Sequence, residues 1–178
     1  MSRARSVLVC LLVLLAGIPL AAGPIPPLLD AVKVSDVATV RALLQKGADV
    51  NAPDVEGTTA LDWAARLDAG AVADLLIRAG AHPNTVNRYG VTALALAAAN
   101  GSGEMIERLL KAGADPNRAS AGGETVLMTA ARSGSVAGVT HLLARGADVE
   151  AKEPRRGTNA LMWAAEENHA PIDRKSVV

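Results

Sequence analysis

The feature that most constrains this chain is a segment that recurs at a nearly constant interval. The string GVTALALAAANG occupies residues 90–101, and related strings begin at Gly57, Gly123 and Gly157. A second series, GAD or GAH, keeps the same interval without variation and begins at Gly47, Gly80, Gly113 and Gly146. Self-similarity at a fixed period of about 33 residues is typical of a repeat array, in which each unit packs on its neighbours.

Residues 90–122 show what one unit contains. Thr92 is placed to cap a first helix. A second helix is predicted to start at Glu104 and to end before Gly113, where a left-handed glycine is favoured. Apolar residues at helical spacing predict one buried face on each helix: Leu94, Ala97 and Ala98, then Ile106, Leu109 and Leu110. A polar loop rich in Asp, Pro, Asn and Gly follows.

Such a unit cannot be stable alone, because two helices of about ten residues each are marginal in water. Stacking on neighbouring units completes the core, and small alanine side chains let the helices approach closely. The sequence therefore predicts an all-α solenoid of stacked helix-turn-helix units with projecting loops.

These residues resemble the ankyrin repeat, whose pattern is G-x-T-P-L-H-x-A-A, then paired leucines, then G-A-D-x-N. The copy that matches best reads Gly90, Thr92, Leu94, Ala97, Ala98, Leu109, Leu110, Gly113, Ala114, Asp115 and Asn117. Similar register in four copies extends the resemblance over about residues 24–172. It implies an ankyrin-repeat solenoid that binds partners through its loop tips and the exposed side of its first helices.

The register divides the chain into a signal peptide and five units. These are an N-terminal capping repeat at 24–52, repeats at 53–85, 86–118 and 119–152, and an incomplete repeat at 153–178, after the signal peptide at 1–22. The last unit lacks a second-helix stripe, because Asp173 and Ser176 occupy the positions that Val139 and Leu142 hold in the preceding repeat. We interpret this as truncation of a longer array; the alternative is a tail that frays.

The chain departs from the ankyrin pattern at two positions of the first helix. The proline before leucine is Ala60, Ala93, Val126 and Ala160, and the histidine is Asp62, Ala95, Met128 and Met162. The resemblance therefore implies that the hydrogen bonds of that histidine are missing and that the first helices are more loosely anchored.

The segment 1–22 differs from the rest of the chain. Arg3 and Arg5 precede an apolar run over 7–15, and Ala21 and Ala22 follow. This order predicts a secretory signal peptide cleaved after Ala22 and a periplasmic or secreted protein with no membrane insertion after cleavage. The alternative is an uncleaved membrane anchor. Cys10 is the one cysteine of the chain, so the mature protein would have none.

Composition and motifs argue against two classes of function. A formal net charge of zero does not suit a nucleic-acid binder, which needs a clustered basic face. His82, His141 and His169 lie in different repeats, and the glycines are not followed by the lysine of a phosphate loop. We therefore predict no catalytic residue, no metal site, no cofactor and no enzyme activity.

The remaining candidate is a binding surface, which the resemblance places on loop tips and first helices. The residues assigned to it are Val55, Glu56, Arg66, Leu67, Arg88, Tyr89, Asn100, Arg132, Arg155, Arg156, Glu166 and Glu167. Arginine and tyrosine are enriched at binding hot spots. We therefore predict a monomeric, exported, non-catalytic scaffold for an unidentified protein partner. The alternative is a structural fragment of a longer array or multidomain protein, with no binding role of its own.

Two tryptophans occupy equivalent places in the second and last units, Trp63 and Trp163. Each either contacts a partner on the concave face or packs between repeats. Packing between repeats is the favoured interpretation.

Overall fold

The structure is a computed structural model that describes residues 27–167, and these residues form nine α-helices and no β-strand. The predictions on the segment 1–22, on His169 and on the tail after it lie outside the described residues. In chain order the helices are α1 (Pro27–Lys33), α2 (Val37–Gln45), α3 (Ala60–Arg66), α4 (Gly70–Arg78), α5 (Ala93–Ala99), α6 (Gly103–Lys111), α7 (Val126–Arg132), α8 (Val136–Ala144) and α9 (Ala160–Glu166).

The helices form two layers. The inner layer contains the seven-residue helices α1, α3, α5, α7 and α9, and the outer layer contains the nine-residue helices α2, α4, α6 and α8. Each of α1, α3, α5 and α7 packs on the next inner helix and on the outer helix that follows it. The prediction of an all-α fold built from stacked helix pairs is therefore confirmed for the part of the chain described.

The core runs through the whole stack, because the three middle repeats contribute equivalent buried side chains and the end repeats add Leu28, Val32, Ala160 and Ala164. Buried leucines from the inner helices recur at one position, as do buried leucines from the outer helices: Leu61, Leu94 and Leu127, then Leu76, Leu109 and Leu142. Pairs of buried alanines lie on the inner helices, such as Ala97 and Ala98. With no bulky group at these positions, neighbouring inner helices come into contact along their length.

Short polar side chains start most of the helices. Thr92 accepts a hydrogen bond from the Ala95 N–H at 3.2 Å, as predicted for a cap. Ser102 does the same for the second helix of that repeat, accepting from the Met105 N–H at 3.2 Å. The helix therefore begins at Gly103, one residue before the predicted start at Glu104.

The expectation of looser first helices is wrong for α3. Asp62, at the position of the ankyrin histidine, is buried, and its Oδ2 accepts hydrogen bonds from the Thr59 N–H and hydroxyl, both at 2.8 Å. The Asp62 N–H in turn donates to the Thr59 hydroxyl at 3.3 Å. This reciprocal arrangement is a capping box, so a carboxylate fixes the start of α3 where the family uses an imidazole.

Helices α6 and α8 approach closely where α8 carries a buried glycine. A Cβ atom built on Gly138 would lie 2.6 Å from Ile106 Cδ1 and 2.7 Å from Ser135 Oγ. Ser135 Oγ cannot move away without cost, because it donates to the Gly101 carbonyl at 2.7 Å and accepts from the Gly138 N–H. The packing of these two outer helices therefore depends on the absence of a side chain at Gly138.

An asparagine at the end of each of three repeats joins it to the next repeat, and we call this set the asparagine ladder. The side-chain N–H of Asn84 donates to the Gly113 carbonyl at 2.9 Å, and its Oδ1 accepts from the Asp115 N–H at 2.8 Å. Asn51 and Asn117 make the same pair of bonds one repeat earlier and one repeat later. At each junction, the nitrogen and the oxygen of one asparagine side chain both form a hydrogen bond with the next repeat.

Candidate functional site

The loops that connect repeats fold back at four tips, which span residues 54–57, 87–90, 120–123 and 153–157. One side chain at the start of each tip accepts hydrogen bonds from backbone N–H groups of the same loop: Asp54, Asn87, Ser120 and Glu153. Asp54 Oδ1, for example, accepts from the N–H groups of Glu56 and Thr58, both at 2.9 Å. These anchors shape the backbone, so the side chains that follow project outward.

The two carboxylate anchors are held in their charged form. Burial alone would raise the pKa of Glu153, but hydrogen bonds from the Arg155, Arg156 and Thr158 backbones outweigh it and lower the pKa. For Asp54 burial also acts upward, and bonds from the Thr58 and Glu56 N–H groups and the Trp63 indole bring the pKa below its ordinary value. Both carboxylates are therefore charged at neutral pH, and each accepts hydrogen bonds from the backbone of its own loop.

Four of the predicted binding residues meet at the second and third repeats. Tyr89 donates its hydroxyl hydrogen to Glu56 Oε1 at 3.3 Å, and Arg88 Nη1 lies 3.9 Å from the same oxygen. The Arg88 guanidinium also lies 5.7 Å from the centre of the Tyr89 ring. Val55 is 69% exposed beside Glu56. We call these four residues, with Arg155 and Arg156 of the last tip, the tip surface.

The inner helices carry a row of charged side chains and tryptophans, which we call the inner row: Lys33, Trp63, Arg66, Arg132, Trp163 and Glu166. Trp63 is half-buried against the core. Its indole N–H donates to Asp54 Oδ2 at 3.4 Å. Lys33 Nζ of the preceding repeat lies 4.7 Å from the ring centre, and Arg66 Cζ lies 5.4 Å from it. Both distances are within the range of a cation–π interaction.

The same arrangement recurs at the other end of the inner row, with different pairing. The Trp163 indole N–H donates to Thr158 Oγ1 at 2.8 Å, and Arg132 of the preceding repeat lies 5.0 Å from the ring centre. Here the arginine also bonds to Glu124, with Nη2 and Oε1 3.1 Å apart. Both tryptophans are partly buried against the core, and a cation of the preceding repeat lies near each ring. Whether either ring also contacts a partner stays a prediction.

Arg156 joins the last tip to the inner row. Its Nη2 lies 2.6 Å from Glu166 Oε1, so two of the predicted residues form an ion pair. Arg155 is exposed, and its backbone N–H donates to Glu153. Leu67 and Glu167 lie exposed at the ends of α3 and α9.

Asn100, one of the predicted binding residues, forms hydrogen bonds within the chain. Its amide donates to the carbonyls of Ala65 and Arg66 in the preceding repeat, at 3.1 and 2.7 Å. Ser133 stands at the same place one repeat later and donates to the Ala98 carbonyl at 2.8 Å. The Asn100 side chain is therefore used to satisfy the end of α3, whose last carbonyls have no partner within the helix.

Sequence reasoning missed Lys33 and Glu124. Lys33 lies one period before Arg66, so the register of the repeats could have identified it. Glu124 precedes the cap of α7, and only the folded chain brings it to Arg132. The twelve predicted residues thus fall into the tip surface, the inner row and the ends of the inner helices, and their role in binding stays a prediction.

We predict that acidification stabilises the wild type relative to an Asp62→Asn variant. Burial raises the pKa of Asp62 above its ordinary 3.8, so the folded chain binds this proton at a pH where the unfolded chain does not. As the pH falls through the raised pKa, the free energy of unfolding of the wild type rises relative to that of the variant, whose amide does not titrate. Urea midpoints of both proteins, measured from neutral pH to about pH 4, check this. A difference that stays constant across the range would contradict it.

The spaces found among the described residues are small or open to solvent. No group of three or more His, Cys, Asp or Glu side chains within residues 27–167 could hold a metal ion. A groove of about 270 Å³ lies on the outer layer between α2 and α4, and a space of about 40 Å³ lies beneath the tip at Gly90. Of the nine helices described, none is both long enough and apolar enough to cross a membrane.

Comparison with known proteins identifies one family. A family model for ankyrin repeats in three copies matches residues 8–87 and 71–153. No curated protein matches the chain. The match includes every residue of the asparagine ladder and the first three tips.

Proposed function

The chain belongs to the ankyrin-repeat family, and from that premise we propose that it is a non-catalytic scaffold that holds a protein partner on the tip surface and the inner row. Ankyrin repeats are generally modules for protein interaction. The partner would lie along several repeats at once, because the tips and the inner helices share one side of the stack of repeats. The prediction of a monomer belongs to this proposal.

One observation carries the proposal. The large apolar side chains that are exposed within residues 27–167 all belong to inner helices or to loops, and none belongs to α2, α4, α6 or α8: Val34, Val55, Leu67, Val86, Tyr89 and Met162. Exposed large apolar side chains are thus absent from the described outer helices, which favours the loops and the inner helices as the place where a partner binds. Three of the outer helices, α2, α4 and α6, present a cation to solvent (Arg41, Arg78 and Lys111), whereas α8 exposes only alanine and threonine.

The experiment compares two variants that alter opposite sides of the protein. Arg88→Ala with Tyr89→Ala removes the centre of the tip surface, and Arg78→Ala with Lys111→Ala changes two exposed cations of the outer helices. Wild type and both variants are used as bait in the cells that make the protein, and captured proteins are quantified. We expect at least one protein to be retained by the wild type and the outer variant and to be depleted at least tenfold by the tip variant, the effect of losing about 1.4 kcal/mol.

Thermal denaturation of the three baits shows whether all are folded. If no captured protein distinguishes the tip variant from the outer variant, the tip surface does not bind a partner and the proposal fails.

We also propose that the protein is exported. Support comes from the order of residues in the first segment, where Arg3 and Arg5 precede an apolar run and two alanines end it. The family match begins at residue 8, inside this segment, so the position of cleavage needs direct measurement. An intact mass shortened by residues 1–22 in an extracytoplasmic fraction is expected; an uncleaved species in the membrane would identify an anchor.

A further inference from the structure

The carboxylates near the tip surface and the inner row are mostly occupied by donors of the same chain. Asp54 and Glu153 accept backbone N–H groups, and the others accept from an arginine, tyrosine or threonine: Glu56, Glu124 and Glu166. Three exposed carboxylates on the inner helices or at their ends have no such donor among the described residues: Asp30 of α1, at the position that Trp63 holds one repeat later, and Asp68 and Glu167 at the ends of α3 and α9. Most carboxylates of the tip surface and the inner row, and the anchors Asp54 and Glu153, therefore already have a hydrogen-bond or ion-pair partner within the chain.

Two cations of the inner row lack a carboxylate partner in the part of the chain that the structure describes. Within residues 27–167, neither Lys33 nor Arg66 forms an ion pair with a carboxylate. Arg66 is exposed, and Lys33 is partly exposed. Asp54 attracts Lys33, but its two oxygens already accept hydrogen bonds from the Glu56 and Thr58 backbones and the Trp63 indole.

The equivalent place at the other end of the inner row supplies a comparison. Arg132 lies over Trp163 as Lys33 lies over Trp63, but Arg132 is paired with Glu124 and the neighbouring Glu166 is paired with Arg156. The two tryptophan sites thus share their register and differ in charge. Only at the Trp63 site can an incoming anion pair with a cation without breaking an existing ion pair.

We propose that Lys33, Trp63 and Arg66 bind an acidic segment of the partner protein, an inference that rests on the proposed scaffold function. The indole holds both cations near its ring, so less side-chain freedom is lost when carboxylates bind. An acidic peptide fits this site better than a nucleic acid, because two cations at one place do not form the extended basic face that a phosphate backbone requires.

The test uses decaglutamate as the probe and tryptophan fluorescence as the signal. The chain has two tryptophans, so Trp163→Phe leaves Trp63 as the single reporter. We expect saturable binding of decaglutamate that weakens as salt is added. Lys33→Gln with Arg66→Gln in the same background should weaken binding about fivefold or more, the upper range for exposed ion pairs. Asp30→Asn should tighten it, because this substitution removes an exposed negative charge from α1, the helix that carries Lys33.

A matched variant controls for the loss of two charges. Arg41→Gln with Arg78→Gln removes two exposed cations from the outer helices of the same two repeats and should leave decaglutamate binding within twofold of the unsubstituted protein, a difference of about 0.4 kcal/mol. Equal weakening by both pairs of substitutions, absence of decaglutamate binding, or equal binding of decalysine would overturn the proposal. Tighter binding of an oligothymidylate through Lys33 and Arg66 would also overturn it, in favour of a nucleic-acid ligand.

These outcomes are separate from those of the capture experiment. If a captured partner depends on Arg88 and Tyr89 but the protein does not bind decaglutamate, the proposed scaffold function is retained and the proposed acidic ligand is refuted. If the protein binds decaglutamate but no partner is captured through the tip surface, the proposed scaffold function is refuted instead.

Discussion

Replacing Leu109 with alanine is expected to lower the free energy of unfolding by about 2–5 kcal/mol. The Leu109 side chain has no solvent exposure and lies on α6, in the repeat at the middle of the stack. Its loss leaves a cavity between the inner and outer layers and weakens the interfaces with both neighbouring repeats. Urea unfolding followed by circular dichroism gives the free energy and its dependence on urea concentration.

A matched leucine shows whether burial is the cause. Leu67 is 43% exposed at the end of α3, so Leu67→Ala should change the free energy of unfolding by about 0.5 kcal/mol or less. In a stack stabilised by contacts between neighbours, a weakened centre also lets the two ends unfold separately. The Leu109→Ala variant should then show a smaller urea dependence than the Leu67→Ala variant. Equal losses in both variants would contradict the assignment of the core.

Placing valine at Gly138 is expected to destabilise the protein by about 1–3 kcal/mol through overpacking. The first added carbon alone would lie 2.6 Å from Ile106 Cδ1 and 2.7 Å from Ser135 Oγ. Ile106 is fully buried, and Ser135 is held by its bond to the Gly101 carbonyl, so neither can move without loss of other contacts. The same denaturation measurement applies.

A second substitution identifies the contact that is responsible. Ile106→Ala removes three carbons, the number that Gly138→Val adds, and alone should cost about 2–5 kcal/mol as a cavity. Combined, the two changes should be less destabilising than the sum of their separate effects, by about 0.5–3 kcal/mol. Strict additivity would show that Gly138 and Ile106 do not share the space between α6 and α8.

Much of the fold could be predicted, because the period fixes both the helices and the face that each one buries. The glycine and leucine positions of residues 90–122 recur from unit to unit, so one correct unit determines its neighbours. The asparagine ladder could also have been predicted from the sequence, since Asn51, Asn84 and Asn117 lie one period apart. The capping box of α3 could not be predicted in this way. The family pattern suggested that the hydrogen bonds of the histidine are lost, whereas the carboxylate of Asp62 forms hydrogen bonds of its own.

The candidate site was less accessible to such reasoning. The four tip anchors have the same role but differ chemically, being aspartate, asparagine, serine and glutamate, so the pattern hides them. The exposure of Asn100 was read from its register, yet its amide is directed at the preceding repeat. Whether a polar side chain faces a partner or its own backbone depends on small differences in distance, which a repeat register does not specify.

The asparagine ladder has a consequence for how such a gene can change length. Each amide reaches from one repeat to a glycine carbonyl and a backbone N–H in the next, and backbone groups are present whatever the neighbour's side chains are. A duplication or deletion of one whole period therefore recreates the same junction at the point of recombination. Unequal crossing-over in phase yields a longer or shorter protein with intact joints, and the number of repeats can evolve independently of the residues that face a partner.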